Sequence, residues 1–281
     1  MRWINQHRGA LAAGLLSALL WLVSEAPPGA AQTPIDLELV LAVDVSLSMD
    51  LDEQRLQRDG YIAAFRDPEV HAAIASGAHA RIAVIYMEWA GRSTQNVVVP
   101  WTLIDGPAAA RDLADRLERL PISRARLTSI SGGLLFAQGL FETSGFKGLR
   151  RVIDVSGDGP NNDGSPVAEA RDRLVAQGIV INALPIMLKI GNGGSLFDIP
   201  NLDDYYTDCV IGGGGAFMVP IRTKAEVIPA IRRKLLLEIA GLVPAGPRII
   251  RAQARSAPPR ETVDCLIGEK IWRRYMDGRF Q

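Results

Sequence analysis

Oxygen-bearing side chains recur in three short stretches of the chain. The stretch "DVSLS" places Asp44, Ser46 and Ser48 at alternate positions, "TSISG" begins with Thr128, and "SGDG" contains Asp158. Carboxylates and hydroxyls are hard ligands, which suit Mg²⁺ or a similar cation. If these five residues meet, the sequence predicts an oxygen-only metal site with few protein charges.

The elements that must position these residues alternate along the chain. Short apolar, β-branched runs predict strands at 37–46, 81–90, 96–102, 150–156, 178–186 and 215–220. Amphipathic patterns predict helices at 50–65, 107–120, 130–142, 165–177 and 222–241. This order favours an α/β fold with a doubly wound, mostly parallel sheet and helices on both faces. The link "GRSTQ" is too short for a helix, so we expect one antiparallel hairpin strand at an edge.

The predicted sheet would collect the oxygen donors at one edge. Ligands of doubly wound sheets bind beyond the carboxyl ends of the strands. Asp44, Ser46 and Ser48 follow the first strand, Asp158 follows the fourth, and Thr128 precedes a helix. Taken singly, the hydroxyls also suit helix caps and Asp158 suits a turn. Their joint placement favours a ligand site, with the loop 158–164 at its rim and Asn162 facing a partner.

These motifs resemble a known adhesion site. "DVSLS", then "TSISG", then "SGDG" are similar, in order and spacing, to the metal-ion-dependent adhesion site (MIDAS) of von Willebrand factor type A (vWA) domains. The alternation of strands and helices resembles that family from about residue 36 to 241. The stretches "LQRDGYIAAFRDPEV", "VVVPWTLIDGP" and "YYTDCVIGG" are similar to an uncharacterised family of exported bacterial proteins with this domain. Leu47 stands where many relatives have Gly, and Gly157 where many have Thr.

The resemblance implies a binding function. Ser46, Ser48 and Thr128 are expected to contact the ion directly, and Asp44 and Asp158 directly or through water. The expected cofactor is Mg²⁺, with Mn²⁺ or Ca²⁺ as alternatives. The expected partner is a protein that supplies an Asp or Glu to the ion. Two other interpretations stay open, namely a metal-assisted hydrolase in the same crevice and a structural envelope protein stabilised by the metal.

Enzymatic motifs are weak by comparison. A serine hydrolase would need a GxSxG motif and a histidine, but His71 and His79 lie in an Ala-rich region without such a motif. The usual motif of a phosphoaspartyl enzyme resembles Asp-x-Asp, and Ser46 occupies the place of the second acid. We therefore expect a protein that is not an enzyme.

The overall charge gives no sign of a nucleic-acid or membrane partner. The 281 residues include 31 basic and 31 acidic side chains without a long run of either sign. Neither a nucleic-acid groove nor a polybasic membrane patch is indicated.

The first 31 residues are typical of a secretory signal peptide. Arg2 and Arg8 precede the apolar run 11–23, and small residues follow it. An uncleaved membrane anchor is the alternative. After cleavage we expect no stable membrane span and a periplasmic or extracellular location.

The two cysteines bear on the C-terminal segment. In an oxidising compartment Cys209 and Cys265 are expected to form a disulfide, with two buried free thiols as the alternative. The bond would tie a C-terminal extension, 242–281, back to the vWA-like domain, 36–241.

Overall fold

The computed structural model describes residues 32–189, 197–241 and 262–278. The predicted signal peptide, 1–31, lies outside the described residues, as does the stretch 242–261 of the predicted extension. Among the residues that are described, no helix is both long and apolar enough to cross a bilayer.

Five strands form one sheet in the order β3-β2-β1-β4-β5. They are β1 (Thr33–Asp44), β2 (Ile82–Trp89), β3 (Gln95–Ile104), β4 (Phe146–Gly157) and β5 (Ile179–Pro185). The central strand β1 pairs in parallel with β2 and β4, and β4 pairs in parallel with β5. Strand β3 runs antiparallel to β2 at the edge. The predicted fold class, including its edge hairpin, is confirmed.

Helices cover both faces of this sheet. They are α1 (Leu51–Arg66), α2 (Pro68–Ala75), α3 (Pro107–Arg119), α4 (Ile130–Glu142), α5 (Val167–Val175), α6 (Leu202–Tyr205), α7 (Val227–Ala240) and α8 (Ile267–Met276). On β1, Leu39 and Leu41 pack into the core beneath α1, α3 and α7. Val40 and Ala42 point to the opposite core, beneath α4, α5 and α6. Because successive strand residues face opposite ways, a strand covered on both sides reads as a continuous apolar run.

The strand predicted at 215–220 is wrong. This segment makes one isolated bridge to the edge strand β5, between Met218 and Ala183, and the next bridge, between Ile221 and Ile186, lies just beyond both. Between them lies Pro185, which has no N–H to donate to a neighbouring strand. The ladder is therefore interrupted after one bridge.

Helix α1 begins directly after the loop that follows β1. Asp50 and Glu53 form a reciprocal capping box, with the Glu53 N–H donating to Asp50 Oδ1 at 2.8 Å and the Asp50 N–H donating to Glu53 Oε2 at 2.9 Å. From the next turn, Gln54 Nε2 donates to the Ser46 carbonyl at 3.4 Å. The start of α1 thus holds the loop that carries the candidate ligands.

Candidate metal centre

A chain of hydrogen bonds links four of the five predicted ligands. Asp44 is fully buried at the end of β1, and its Oδ1 accepts a hydrogen bond from the Ser46 N–H at 2.7 Å. The hydroxyl oxygens of Ser46 and Ser48 are 2.7 Å apart. Ser48 Oγ donates to Asp158 Oδ1 at 2.6 Å, which joins the loop after β1 to the loop after β4.

The fifth residue, Thr128, is held by the rim loop. Its N–H donates to Asn162 Oδ1 at 2.9 Å, and its carbonyl accepts from the Asn162 N–H at 2.8 Å. Thr128 lines the same cleft as Ser46 and Ser48. Asn162 lines that cleft as well, as predicted for the rim, but it also fixes the position of a candidate ligand. The structure therefore brings all five predicted residues to the carboxyl edge of the sheet.

The donor set fits a hard divalent cation. Within the described residues, Asp44 Oδ2 is buried and has no hydrogen-bond partner, an arrangement that is costly for a carboxylate oxygen. Burial, together with the nearby Asp158 carboxylate, raises the pKa of Asp44 to about 8. A cation would supply the missing partner and favour the ionised form. In the described part of the chain, no three His, Cys, Asp or Glu residues are grouped as metal ligands, so this candidate site depends on its hydroxyls.

Lys189 is a member of the site that the sequence reasoning missed. Its Nζ donates to Asp158 Oδ2 at 2.8 Å and to the Ser48 carbonyl, and it lies 3.2 Å from Glu53 Oε2. Burial lowers the pKa of Lys189, but the Asp158 and Glu53 carboxylates outweigh this and raise it above its ordinary value. Lys189 follows the end of β5 by four residues, so the strand-end rule that selected the other ligands could have found it.

The absence of a side chain at Gly157 leaves space for Tyr206 behind the site. A Cβ atom at Gly157 would lie 2.7 Å from Tyr206 Oη and 3.0 Å from Asp44 Oδ2. Neither distance is compatible with a side chain at this position unless its neighbours move. Tyr206 is fully buried, and burial, with Asp44 nearby, raises the pKa of its phenol. The glycine that replaces the Thr of many vWA domains therefore makes room for a tyrosine behind Asp44.

The cleft beside the ligands has an aromatic wall. Its volume is about 690 Å³, and Ser46, Ser48 and Thr128 lie on its surface. The apolar wall is formed by Phe197, Trp272, Tyr275 and Met276. The rings of Trp272 and Tyr275 are stacked with centroids 5.7 Å apart, and Phe197 lies 5.7 Å from each. Tyr275 is 49% exposed and Met276 66% exposed, so much of this wall faces solvent in the described structure.

Helix α8, which carries three of the four wall residues, is fastened to the domain at its first turn. Cys209 and Cys265 form a disulfide immediately before the helix, as the sequence predicted. Asn161 Nδ2 donates to Glu269 Oε1 at 2.7 Å. A Cβ atom at Gly268 would lie only 2.0 Å from the Asn161 carbonyl oxygen, so a glycine is required for this close approach. The loop after β4 therefore touches both the candidate ion site and α8.

A family model described as "Protein of unknown function (DUF1194)" matches residues 34–243. The chain belongs to this family. The family has no described function, and no curated protein sequence matches the chain. The match covers the sheet and α1 to α7, and it ends before α8.

Solved structures share the fold at low sequence identity. Proximal thread matrix protein 1 from the mussel byssus is 13% identical, with a TM-score of 0.54 over 74% of this chain and 49% of its own. The pilus adhesin SpaC from Lactobacillus rhamnosus GG is 12% identical, with a TM-score of 0.55 over 74% of this chain and 31% of its own. A von Willebrand factor type A protein from Catenulispora acidiphila is 17% identical, with a TM-score of 0.49 over 73% and 43%.

The likenesses to the mussel protein and to SpaC show the fold and nothing finer. The chain spans about half or less of the length of these three structures. The vWA-like fold predicted from the sequence is confirmed. The mussel protein has also been solved with a zinc-occupied MIDAS motif, at a TM-score of 0.52 and 13% identity over 74% of this chain and 49% of its own.

Proposed function

We propose that this protein is a periplasmic or extracellular binding module that holds a divalent cation, Mg²⁺ or alternatively Mn²⁺ or Ca²⁺. Ser46, Ser48 and Thr128 are the direct ligands, and Asp44 and Asp158 bind directly or through water. One observation carries the proposal: these five oxygen-bearing residues meet at one edge of the sheet, where a buried oxygen of Asp44 has no partner among the described residues.

The chemistry of the ligands explains how such a site recognises a protein. When bound, the cation supplies a positive charge that only two protein carboxylates offset, and it keeps water at its free positions. An Asp or Glu of a partner that replaces one of these waters gives the ion a charged ligand in place of a neutral one. The solved mussel protein with a zinc-occupied MIDAS motif and the adhesin SpaC support this proposal, since both share the fold.

The shape of the cleft adds a second contact surface. A volume of about 690 Å³ is much larger than one carboxylate requires. The rest of the partner segment would pack against Trp272 and Tyr275, because aromatic side chains commonly anchor protein interfaces.

Metal binding is tested by calorimetry with Mg²⁺ and Mn²⁺. The double variant Ser46→Ala, Ser48→Ala removes two hydroxyl ligands and is expected to abolish binding while the fold is retained. Ser76→Ala is the matched control, because this exposed hydroxyl lies just after α2, where it donates to the Ala73 carbonyl, on the other side of α1 in sequence from Ser46 and Ser48. Equal affinity in the double variant and the control would contradict the assigned ligands.

Partner binding is tested by capture from an envelope extract with and without a chelator. An adhesion-type site predicts a protein that is captured by the wild type, is released by the chelator and is lost in the Ser46→Ala, Ser48→Ala variant. Capture that is indifferent to both changes would refute a cation-dependent interface. Metal-dependent turnover would favour the hydrolase, and a lower melting temperature without loss of a partner would favour the structural protein.

A further inference from the structure

The Lys189 ammonium group lies within the candidate metal centre. It contacts the carboxylate of one predicted ligand, Asp158, and the backbone carbonyl of another, Ser48. Glu53 Oε2 lies 3.2 Å away on the third side. The Lys189 side chain is only 26% exposed, so water screens its charge incompletely.

This arrangement places a fixed positive charge where a second one is expected. Asp158 Oδ1 accepts from Ser48 Oγ, while Oδ2 accepts from Lys189, so both oxygens already have partners. A divalent cation that uses Asp158 must share this carboxylate with the ammonium group or displace it. Two positive charges at so short a range repel each other strongly when they are poorly screened.

We propose that Lys189 is a built-in competitor for the cation. By neutralising Asp158 in the metal-free protein, it keeps the two loops together and lowers the affinity of the site for divalent ions. The proposal rests on the proposed function, because it requires a cation that binds at these residues. It follows that a bound ion is held weakly until a partner carboxylate adds its own charge.

Titration calorimetry of Lys189→Met with Mg²⁺ and Mn²⁺ tests the competition. Removing the ammonium group is expected to tighten cation binding at least ten-fold, which corresponds to about 1.4 kcal/mol. Lys147→Met is the matched control, since Lys147 is exposed near the amino end of β4 and loses the same charge far from the cleft. Its cation affinity should match that of the wild type.

Thermal melting separates competition from a purely structural ion pair. Without metal, Lys189→Met should have a lower melting temperature than the wild type, because Asp158 and Glu53 lose the ammonium group that they share. Saturating Mg²⁺ should then raise its melting temperature by more than it raises that of the wild type. Lys189→Gln keeps a hydrogen-bond donor without the charge and should show the same tighter binding if the methionine variant does not fold.

The outcomes distinguish this inference from the proposed function. A lower melting temperature with unchanged or weaker cation affinity would make Lys189 a structural residue only and overturn the competition. Binding that is seen only after Lys189 is replaced would support it strongly. No cation binding in the wild type or in either neutral variant would overturn both the competition and the metal centre.

Discussion

The disulfide at the base of α8 offers the sharpest test of how the cleft is built. Within α8, Gly268 is buried and Ile267 and Ile271 are partly buried against the core, so the apolar packing of this helix is limited and the disulfide adds to it. The Cys209–Cys265 bond spans 56 positions of the chain. We predict that replacing both cysteines by alanine releases α8 while the sheet stays folded.

The size of this effect follows from chain entropy. A disulfide that closes a loop of this length restricts the opened chain by an amount equivalent to about 4 kcal/mol. If that restriction governs local opening of α8, its removal shifts the opening equilibrium by up to roughly 1,000-fold, at 1.4 kcal/mol for each factor of ten. The hydrogen bond between Asn161 and Glu269 would remain, and it contributes about 1 kcal/mol.

Amide hydrogen exchange measures this opening directly. Exchange in Ile267–Met276 should accelerate by roughly 100- to 1,000-fold, whereas exchange in β1 and β4 should stay unchanged. Reduction of the wild-type protein should reproduce the result, and Mg²⁺ affinity should persist in both samples. Acceleration below ten-fold in α8 would mean that other contacts hold the helix, and equal acceleration in β1 would mean that the bond stabilises the whole domain.

Three further substitutions probe the site. Gly157→Thr should lower the free energy of unfolding in urea by about 1–3 kcal/mol, because its Cβ would clash with Tyr206 Oη. Adding Tyr206→Phe should recover part of that loss. An unchanged free energy of unfolding in Gly157→Thr would contradict the close contact. Trp272→Ala should weaken the affinity for a captured partner about ten-fold or more without changing the affinity for Mg²⁺, which separate titrations with the partner and with Mg²⁺ would measure. Asn162→Ala should weaken Mg²⁺ binding about five-fold, because Thr128 loses a hydrogen bond worth about 1 kcal/mol; unchanged calorimetric affinity would show that Thr128 needs no such support.

The sequence was sufficient to predict the part of the site that depends on strand ends. Asp44 ends the central strand, and Asp158 follows its neighbour β4, so the parallel sheet brings them to the same edge. The alternation of Ser46 and Ser48 suited a shared ligand, and their hydroxyls do lie side by side. Local pattern and sheet topology together determine these positions.

The remaining parts depend on contacts that no local pattern encodes. The orientation of Lys189 is fixed by Glu53 and Asp158, which lie far from it in sequence. For α8, the cysteines predicted an attachment but not which edge of the sheet the helix would cover. At 215–220 the apolar pattern suited a strand, but Pro185 on the facing strand has no N–H to donate, so no continuous pairing forms.

The short π-helical turn Tyr206–Val210 links the buried back of the ion site to the base of α8. Tyr206 extends from it to the back of Asp44, and Cys209, three residues later, is bonded to the base of α8. An insertion or deletion between these two residues would move the tyrosine and the aromatic wall relative to each other. The spacing within this turn therefore fixes the aromatic wall relative to the ion site, and homologues that change it are expected to hold a partner at a different distance from the ion.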